Sequence, residues 1–587
     1  IGFQGGLTGS LFREFAFTLT GAVLISGFVA LTLSPVMAAG LLKPSSEDRW
    51  LKRKINRGFD KLGRTYLRIL EATLASRPFV YVFWIVLTIF TAGMFKMVPK
   101  ELAPTEDIGI IFGILDTPSN STIEQTVISA AEVNRIWLSF PETDFTFQQS
   151  PLPTAGIGGM ILKPWNERER SSFELYPEVQ QQMGTIPGVK VLSLLPSSLP
   201  GASRFPVELV IASTAETEVI LGFAQQLARL AAQSGKFAFP PIIDVKYDKP
   251  QAEIVFDRDK VASLGLNLAD VGNDLSAMFG GNFVNRFNID GRGYKVIPQI
   301  KREDRLTTDQ LLSIYVTGPG GDLIPLSSIA TIEHKTVPRS LNRFQQFNAV
   351  KISGVAITPL DDALKFFEDE AAKLLPPGYV VDYTGESRQL RNEGDSFAGA
   401  FGLAVVLIFL VLAAQFNSFR DPFIILLGSV PLAMFGAVIF MFLKMPNPNL
   451  SFWTDSWTTT MNIYSQVGLI TLVGIVSKNG ILIVEFANEL QRSGLNKLES
   501  VKEAALTRLR PVLMTSTATV FGHLPLTLVS GAGAEARNSI GLVLVGGMAI
   551  GTFFTLIIIP SVYMLIAKDL GGTVSDASAL EEEEAIL

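Results

Sequence analysis

The chain has 587 residues, 48% of them hydrophobic and 18% charged, and its net charge of −6 comes from 49 basic and 55 acidic residues. Soluble globular proteins average roughly 25% charged residues, so this average combines bilayer segments with a water-soluble part. The lack of cysteine excludes disulfide frameworks and thiolate metal sites, the 2 histidines leave little room for imidazole-rich metal sites, and the charge gives no sign of a nucleic-acid partner.

Seven segments have the roughly 20 apolar residues that a helix needs to cross a bilayer. They are residues 15–42, 78–95 (extendable to 98), 397–415, 422–443, 464–490, 511–530 and 540–567. Many lysines and arginines separate the first two segments, so the positive-inside rule places that loop in the cytoplasm and the long block 96–396 outside. The predicted protein is therefore multi-pass, with one large external domain.

The first cytoplasmic loop contains an amphipathic pattern. Apolar side chains recur at helical spacing between basic residues, at Leu51, Ile55, Phe59, Leu62 and Tyr66. This pattern predicts a helix that lies on the inner membrane surface and contacts lipid, and the alternative is an ordinary helix packed on a cytoplasmic domain.

The external block, residues 101–394, alternates strand and helix patterns. Three strand–helix–strand units are predicted, at 108–148, 205–247 and 349–383, which favours ferredoxin-like α/β sandwiches. The glycine-rich stretch 280–336 between the second and third units is predicted to be an inserted, mainly β subdomain. The block contains no enzyme motif. Its glycine-rich stretch Gly318-Pro319-Gly320-Gly321 is a turn and not a phosphate loop, because no Lys-Ser/Thr follows it.

One charged residue lies near the middle of a predicted span. Lys478 is about 21 Å along a helix from Tyr464, and the carboxylate of Glu485 on the same face lies about 10 Å away, near the inner interface. A buried ammonium needs a counter-ion, and apart from Glu489, at the inner end of the same segment, no other carboxylate occurs inside the seven segments. Lys478 is either part of a proton or ion relay or a lock between helices.

Several motifs together identify a resemblance. They are Gly-Gly-Leu-Thr-Gly at 5–9, Leu-Thr-Leu-Ser-Pro at 31–35, Val-Ser-Lys-Asn-Gly-Ile-Leu-Ile-Val-Glu-Phe-Ala at 476–487, Arg-Leu-Arg-Pro-Val-Leu-Met-Thr-Ser at 508–516, Gly-Ala-Gly at 531–533 and Gly-Gly-Met at 546–548. With these motifs in this order, the chain resembles the C-terminal half of a resistance-nodulation-division (RND) efflux permease of the hydrophobe/amphiphile branch.

The resemblance implies a membrane α-helical bundle with a large periplasmic α/β porter domain of β-α-β subdomains and a β-rich docking insertion. The chain then divides into residues 1–42 (last helix of the first repeat), 43–77 (cytoplasmic loop), 78–98 (helix), 99–279 (porter subdomains), 280–336 (docking insertion), 337–394 (remaining porter), 395–568 (five-helix bundle) and 569–587 (acidic cytoplasmic tail). It also implies a location in the bacterial inner membrane.

The same resemblance implies partners and a mechanism. The partners are two further copies of the chain in a homotrimer, a periplasmic adaptor and an outer-membrane channel. Small hydrophobic or amphiphilic substrates are exported, and protons are the coupling ion, with no other cofactor. Paired aspartates of the family lie on a helix of the first repeat, so the chain is expected to be a fragment. The alternatives are another cargo, such as lipid, solvent or metal ions, and a split pump that needs a separate first-half polypeptide.

The resemblance assigns site residues by position. Lys478, Arg508 and Thr515 match the proton relay. Phe145, Phe147, Phe205, Lys246 and Asp248 match or lie near positions that line the substrate pocket. A switch loop is expected at 150–159, shorter than in the family and without aromatic residues. For Phe145 and Phe205 the alternative is ordinary sheet core.

Overall fold

A computed structural model describes residues 2, 5–41, 50–199, 204–281, 283–442 and 460–569, without the side chains of 51–53, 393–396 and 442. The predicted acidic tail, apart from its first residue, and the predicted role of Leu51 therefore lie outside the described part. The α-helices are α1 Gly6–Leu41, α2 Trp50–Ala75, α3 Arg77–Met97, α4 Ile123–Leu138, α5 Ser172–Met183, α6 Thr217–Gln233, α7 Arg258–Ser263, α8 Leu268–Phe279, α9 Leu360–Leu374, α10 Gly385–Phe416, α11 Arg420–Phe442, α12 Ile463–Arg492, α13 Lys497–Leu528 and α14 Ala534–Ile566.

The strands all lie between helices α3 and α10. They are β1 Ile110–Asp116, β2 Thr143–Leu152, β3 Ala155–Leu162, β4 Lys190–Leu194, β5 Val207–Ser213, β6 Ile242–Ile243, β7 Tyr247–Phe256, β8 Asn285–Ile289, β9 Arg292–Val296, β10 Tyr315–Thr317, β11 Leu323–Pro325, β12 Ala330–Pro338, β13 Asn342–Phe344, β14 Phe347–Gly354 and β15 Val380–Tyr383. Long helices therefore lie on both sides, in sequence, of one α/β part, residues 98–384, which we call the extramembrane domain. Its position outside the membrane stays a prediction.

Within the described residues, 6 helices are long and apolar enough to cross a membrane: α1, α3, α10, α11, α12 and α14. The predicted segment 511–530 lies in α13, which packs in the same bundle but is less apolar. Its polar residues include Thr515, Ser516, Thr519 and His523, and the charges of Arg508 and Arg510 precede them. The predicted count of seven spans is therefore confirmed only for the other six segments.

Close helix packing in the bundle depends on small residues. Helices α11 and α14 approach so closely at Gly436 and Gly546 that a Cβ atom at either glycine would lie 2.7 Å from the carbonyl oxygen of the other. Small residues at helix interfaces permit this approach, and dispersion contacts between the helices follow from it. Helices α11, α12 and α14 are largely buried, whereas most of the apolar surface of α1 and α10 is exposed.

Helix α2 is amphipathic, and its C-terminal half docks on the bundle. Tyr66, Leu70 and Leu74 lie on one face and are buried, and the Tyr66 hydroxyl donates a 2.7 Å hydrogen bond to the carbonyl oxygen of Leu556 in α14. Ile55 and Leu62, nearer the N-terminus, remain exposed. The helix is confirmed, and its contact with the membrane surface stays a prediction.

The first sheet of the extramembrane domain has the order β2-β3-β1-β4, and α4 and α5 cover one of its faces. Strand and helix follow in the order β-α-β-β-α-β, which is the ferredoxin-like arrangement that the sequence predicted. The expected switch loop at 150–159 is wrong. Those residues form the end of β2, the turn at Pro153 and Thr154, and the start of β3, because β3 pairs with β2 up to Leu152 opposite Ala155 and with β1 on its other edge.

The second and third predicted units form one sheet. Its order is β13-β14-β5-β15, with β6 also paired to β14, and α6 and α9 pack on it. The strands of the two units pair with each other, as β14 with β5, because each unit alone leaves a sheet edge unpaired. The result is a second ferredoxin-like subdomain that is interrupted by an insertion.

The insertion is larger and more helical than predicted. Strand β7 pairs with β12, so the unit runs from Tyr247 to Pro338 and not from 280 to 336. Its core joins Val261 of α7 and Val271 and Leu275 of α8 to Val316 and Leu326 of the strand region. Both helices therefore belong to the insertion. The predicted start of the insertion, at residue 280, lies too far along the chain.

A short linker, residues 98–107, connects α3 to the first sheet and bonds to the start of α12. The N–H of Met461 donates to Pro99 O at 2.8 Å, and the N–H groups of Glu101 and Ile463 donate to Met461 O and Leu102 O at 3.1 Å. The Glu101 carboxylate accepts a hydrogen bond from the Thr460 hydroxyl. Burial raises the pKa of Glu101 to about 7, the Thr460 bond lowers it in part, and the nearby Glu386 and Glu535 charges add to the rise.

Replacing Glu101 with glutamine should remove a pH-dependent loss of stability. The folded chain holds a proton on Glu101 that the unfolded chain, with a glutamate pKa of about 4.3, has released, so stability falls as the pH rises from about 4.5 through about 7. The thermal unfolding midpoint of Glu101→Gln in detergent should therefore fall less than that of the parent over this range. Parallel midpoint curves for the two proteins would contradict this.

Candidate functional site

The lysine at the centre of α12 lies among hydroxyl groups. Lys478 is half-buried, and its ammonium donates a 3.3 Å hydrogen bond to the Thr519 hydroxyl of α13. Thr519 itself donates to Thr515 O, one helical turn earlier, at 2.8 Å. A neutral hydroxyl satisfies one of the three ammonium donors and offers no opposite charge.

The next residue extends this polar group into the bundle. The buried Asn479 side chain donates to Ser516 Oγ of α13 and Thr552 Oγ1 of α14, both at 3.2 Å, and Thr552 donates to Ser516 at 3.0 Å. We call Lys478, Asn479, Ser516, Thr519 and Thr552 the bundle polar cluster. It joins three helices by side-chain hydrogen bonds within an otherwise apolar core.

The other predicted relay residues lie apart from Lys478. The Thr515 hydroxyl donates to Val512 O of its own helix at 3.2 Å. Arg508 precedes Thr519 in α13 by about 16 Å along the helix axis, and its guanidinium lies 4.5 Å from the centre of the Phe486 ring. The Nε atom of Arg508 is buried without a hydrogen-bond partner. The structure thus brings Lys478 next to Thr519, not Thr515.

Over the described part of the chain, no carboxylate forms an ion pair with Lys478, and no group of three His, Asp or Glu residues could hold a metal ion. The Glu485 side chain lies on the exposed surface of α12. Within the described residues, the side-chain partner of this central cation is therefore the neutral hydroxyl of Thr519. A partner of opposite charge would add the attraction that this hydroxyl lacks.

The predicted pocket phenylalanines of β2 lie on the face of the first sheet that its helices leave uncovered. Phe145 is 55% exposed and Phe147 41% exposed. The Phe147 ring meets the Phe112 ring of β1 edge-on, with the centroids 6.2 Å apart. Gly159 of β3 lies between them in register, and a Cβ there would be 2.3 Å from the Phe147 ring, so only glycine permits this contact.

Phe205 belongs to the contact between the two subdomains. It is 9% exposed and packs with Leu192 and Leu194 of β4, so it is buried at this contact and not within a single sheet. Its role in a substrate pocket stays a prediction. Beside this contact is a cavity of about 260 Å³, a little smaller than the usual range for drug-sized ligands. Its lining includes Phe112, Ile114, Ile157, Leu194, Leu199 and Arg204.

Lys246 and Asp248 are engaged in an ion cluster that joins the first sheet to the second subdomain and the start of the insertion. Lys246 pairs with Asp116 at the end of β1. Arg339 binds both oxygens of Asp248 at 2.6 Å and reaches Asp116 at 3.1 Å. The two Arg339 bonds lower the pKa of Asp248. Both predicted polar pocket residues therefore contact protein groups in this structure.

Sequence reasoning missed several members of these sites. Asn479 and Thr552 carry the signal of polar side chains inside apolar spans, which could have marked them. Phe112, Asp116 and Arg339 carry no local signal, because strand pairing and subdomain contact bring them to the site.

Comparison with known proteins identifies the family. A model of the AcrB/AcrD/AcrF family matches residues 1–567. The chain belongs to this family of RND permeases. Its members are transporters and not enzymes, so the absence of a catalytic motif is consistent with the family.

Relatives agree with this assignment. The chain is 38% identical over 572 residues to an uncharacterized transporter of Haemophilus influenzae, and the match covers 96% of the chain and 55% of the relative. It is 31% identical to the multidrug/solvent efflux pump membrane transporter MepB of Pseudomonas putida, over 97% of the chain and 55% of that protein. It is 30% identical to the multidrug resistance protein MdtF of Escherichia coli K12, over 96% of the chain and 55% of that protein. The chain spans about half the length of these relatives.

Arg339→Gln should destabilise the extramembrane domain. The change leaves the Asp116 and Asp248 carboxylates with only Lys246 between them, and partly buried charges that lose a partner cost about 1–2 kcal/mol after allowance for solvent screening. The thermal unfolding midpoint of the purified chain should fall. Arg343→Gln, at an exposed position on β13, is the matched control and should leave the midpoint near that of the parent.

Proposed function

We propose that this RND permease chain takes part in proton-driven export of small hydrophobic or amphiphilic compounds. The observation that carries the proposal is Lys478, a cation in the bundle polar cluster that no described carboxylate neutralises. Structural cations inside a bundle are normally paired, and intramembrane ionisable groups commonly serve ion or proton pathways. The proposed partner of Lys478 is a protonatable carboxylate pair outside the described residues.

Protonation of that pair would remove the attraction that holds the ammonium. Lys478 would then keep only the Thr519 hydroxyl, and the cost of an uncompensated charge would favour a different arrangement of α12 against α13. Deprotonation would restore the ion pair. The cycle requires that the carboxylate pair takes up a proton from one side of the membrane and releases it to the other side. Protons are the only coupling ion that the cycle needs.

Arg508 and Thr515 have supporting places in this proposal. The unpartnered Nε of Arg508, toward the Lys497 end of α13, is available to attract a carboxylate or water during proton release. The backbone carbonyl of Thr515 accepts a hydrogen bond from the Thr519 hydroxyl and so orients the hydroxyl that contacts Lys478. Each acts on the same helix that Lys478 touches.

The cavity beside the contact between the two ferredoxin-like subdomains is the proposed substrate path. It is lined mainly by apolar side chains of the first sheet and of the segment after β4, and the Phe112 ring of this lining meets the exposed Phe147 ring. Apolar surface of this kind binds hydrophobic compounds without directional contacts. The similarity to MepB, a multidrug/solvent efflux pump membrane transporter, and to MdtF, a multidrug resistance protein, favours such cargo.

The proposed setting is the bacterial inner membrane, with the extramembrane domain in the periplasm. The family resemblance supports a homotrimer that works with a periplasmic adaptor and an outer-membrane channel. The exposed apolar surfaces of α1 and α10 fit membrane lipid or further helices of such an assembly. A different cargo, such as lipid, is the second candidate.

Lys478→Ala should abolish efflux. In cells that express the chain from its own genomic locus, release of preloaded Nile red should fall to the level of a deletion strain. The reason is that alanine has no ammonium group whose ion pair changes when a partner carboxylate is protonated. Lys502→Ala is the matched control, since Lys502 makes only a 3.4 Å contact with Glu71 away from the cluster.

Equal dye release by the parent and Lys478→Ala strains would overturn the relay. Parent cells that release no dye but export a fluorescent phospholipid in a Lys478-dependent manner would replace the proposed cargo and keep the relay.

A further inference from the structure

The helices that form the bundle polar cluster are also the helices bound to the linker 98–107. Lys478 and Asn479 lie on α12, and Thr552 lies on α14. The starts of these two helices are joined directly, because Asn462 Nδ2 donates to Ser539 Oγ at 3.2 Å. The linker then bonds to both: to Met461 and Ile463 through its backbone, and to α14 through a side chain.

The side chain that reaches α14 replaces a missing helix cap. A helix begins with N–H groups that have no intrahelical acceptor, and usually the N-cap side chain supplies one. The N-cap of α14 is Gly533, with φ of 69° and no side chain. Glu106 of the linker accepts the Ala536 N–H at 2.7 Å instead, and a carboxylate is the favoured group at a helix N-terminus. Glu106 is 7% exposed.

The other end of the linker is fixed to the first sheet subdomain. The next residue, Asp107, accepts the N–H of Ser172 at the start of α5 at 2.8 Å and pairs with the buried Arg168 at 3.0 Å. Burial opposes ionisation of Asp107, but the Arg168 and Ser172 bonds outweigh it and lower its pKa. The Arg168 guanidinium also lies 4.2 Å from the Trp165 ring. Adjacent residues therefore hold a bundle helix and a subdomain helix.

We propose that Glu106 is a positioning residue that transmits movement of α14 and α12 to the first sheet subdomain and its cavity. This inference rests on the proposed function. Lys478 lies about 26 Å along α12 from Met461, and Thr552 about 24 Å along α14 from Ala536. A helix carries an axial shift over such lengths with little loss, and the hydrogen bonds at its end decide what moves with it. Glu106 joins α14 to the linker by one charge-assisted bond, without touching the substrate.

Because Glu106 transmits movement and does not touch substrate, its hydrogen bond is needed for the rate of turnover and not for substrate binding. Truncation of Glu106 removes the acceptor of the Ala536 N–H, so α14 can shift without the linker. Substitution by glutamine keeps an acceptor oxygen at the same length of side chain. The two variants therefore separate the hydrogen bond from the charge.

The experiment measures Nile red efflux over a range of dye loads, in cells that express each variant from the native locus. Glu106→Ala should lower the maximal rate about tenfold, as expected for loss of one hydrogen bond of a charged group, with an unchanged half-saturating dye load. Glu106→Gln should recover most of the rate. Glu132→Ala is the matched control, because Glu132 is an exposed carboxylate on α4 that pairs only with Arg135 one turn away.

The outcomes distinguish the two proposals. If the parent and Lys478→Ala cells release dye alike, the proposed function fails. If Lys478→Ala abolishes efflux but Glu106→Ala equals the parent, the transmission role of Glu106 is wrong. A raised half-saturating load with an unchanged maximal rate also overturns it, since that result places Glu106 in substrate binding. Membrane levels and thermal unfolding midpoints of the variants are measured alongside, and a rate loss that follows the amount of folded protein likewise contradicts the transmission role.

Discussion

An ammonium group inside an apolar helix bundle is the constraint on which the membrane part of this chain depends. Lys478 cannot reach water easily from the middle of α12, and α13 offers it the Thr519 hydroxyl in place of an opposite charge. The adjacent Asn479 bonds to hydroxyls of α13 and α14. Those polar groups must meet at one depth, so α12, α13 and α14 are held in register at the cluster. Close glycine contacts between α11 and α14 stabilise the same arrangement without adding polar groups.

Charge has a different use in the extramembrane domain. Asp116, Asp248, Lys246 and Arg339 form a compact set with balanced signs where the first sheet meets the second subdomain. Because each charge has a partner, the set fixes the first sheet against the second subdomain. Asp116 lies two residues along β1 from Ile114 of the cavity lining, so this ion cluster holds the strand that carries part of that lining.

The linker 98–107 unites the two parts of the chain. Its backbone extends the start of α12, and its two successive carboxylates, Glu106 and Asp107, bond to the beginnings of α14 and α5. Helix N-termini favour carboxylates through their unpaired N–H groups and their dipole, so both bonds have the same physical origin. One short segment can therefore connect helices that are distant in sequence without a large interface.

The sequence by itself determined the six helices that are long and apolar enough to cross a membrane, the amphipathic α2, both ferredoxin-like patterns and the isolated charge of Lys478. Apolar length, periodicity and a lone charge are local properties. Tertiary structure decided the rest. It joined two predicted units in one sheet, made the expected loop at 150–159 a hairpin, and began the insertion at Tyr247. It also chose Thr519 as the partner of Lys478, since contacts between distant segments depend on packing and register, which no local pattern records.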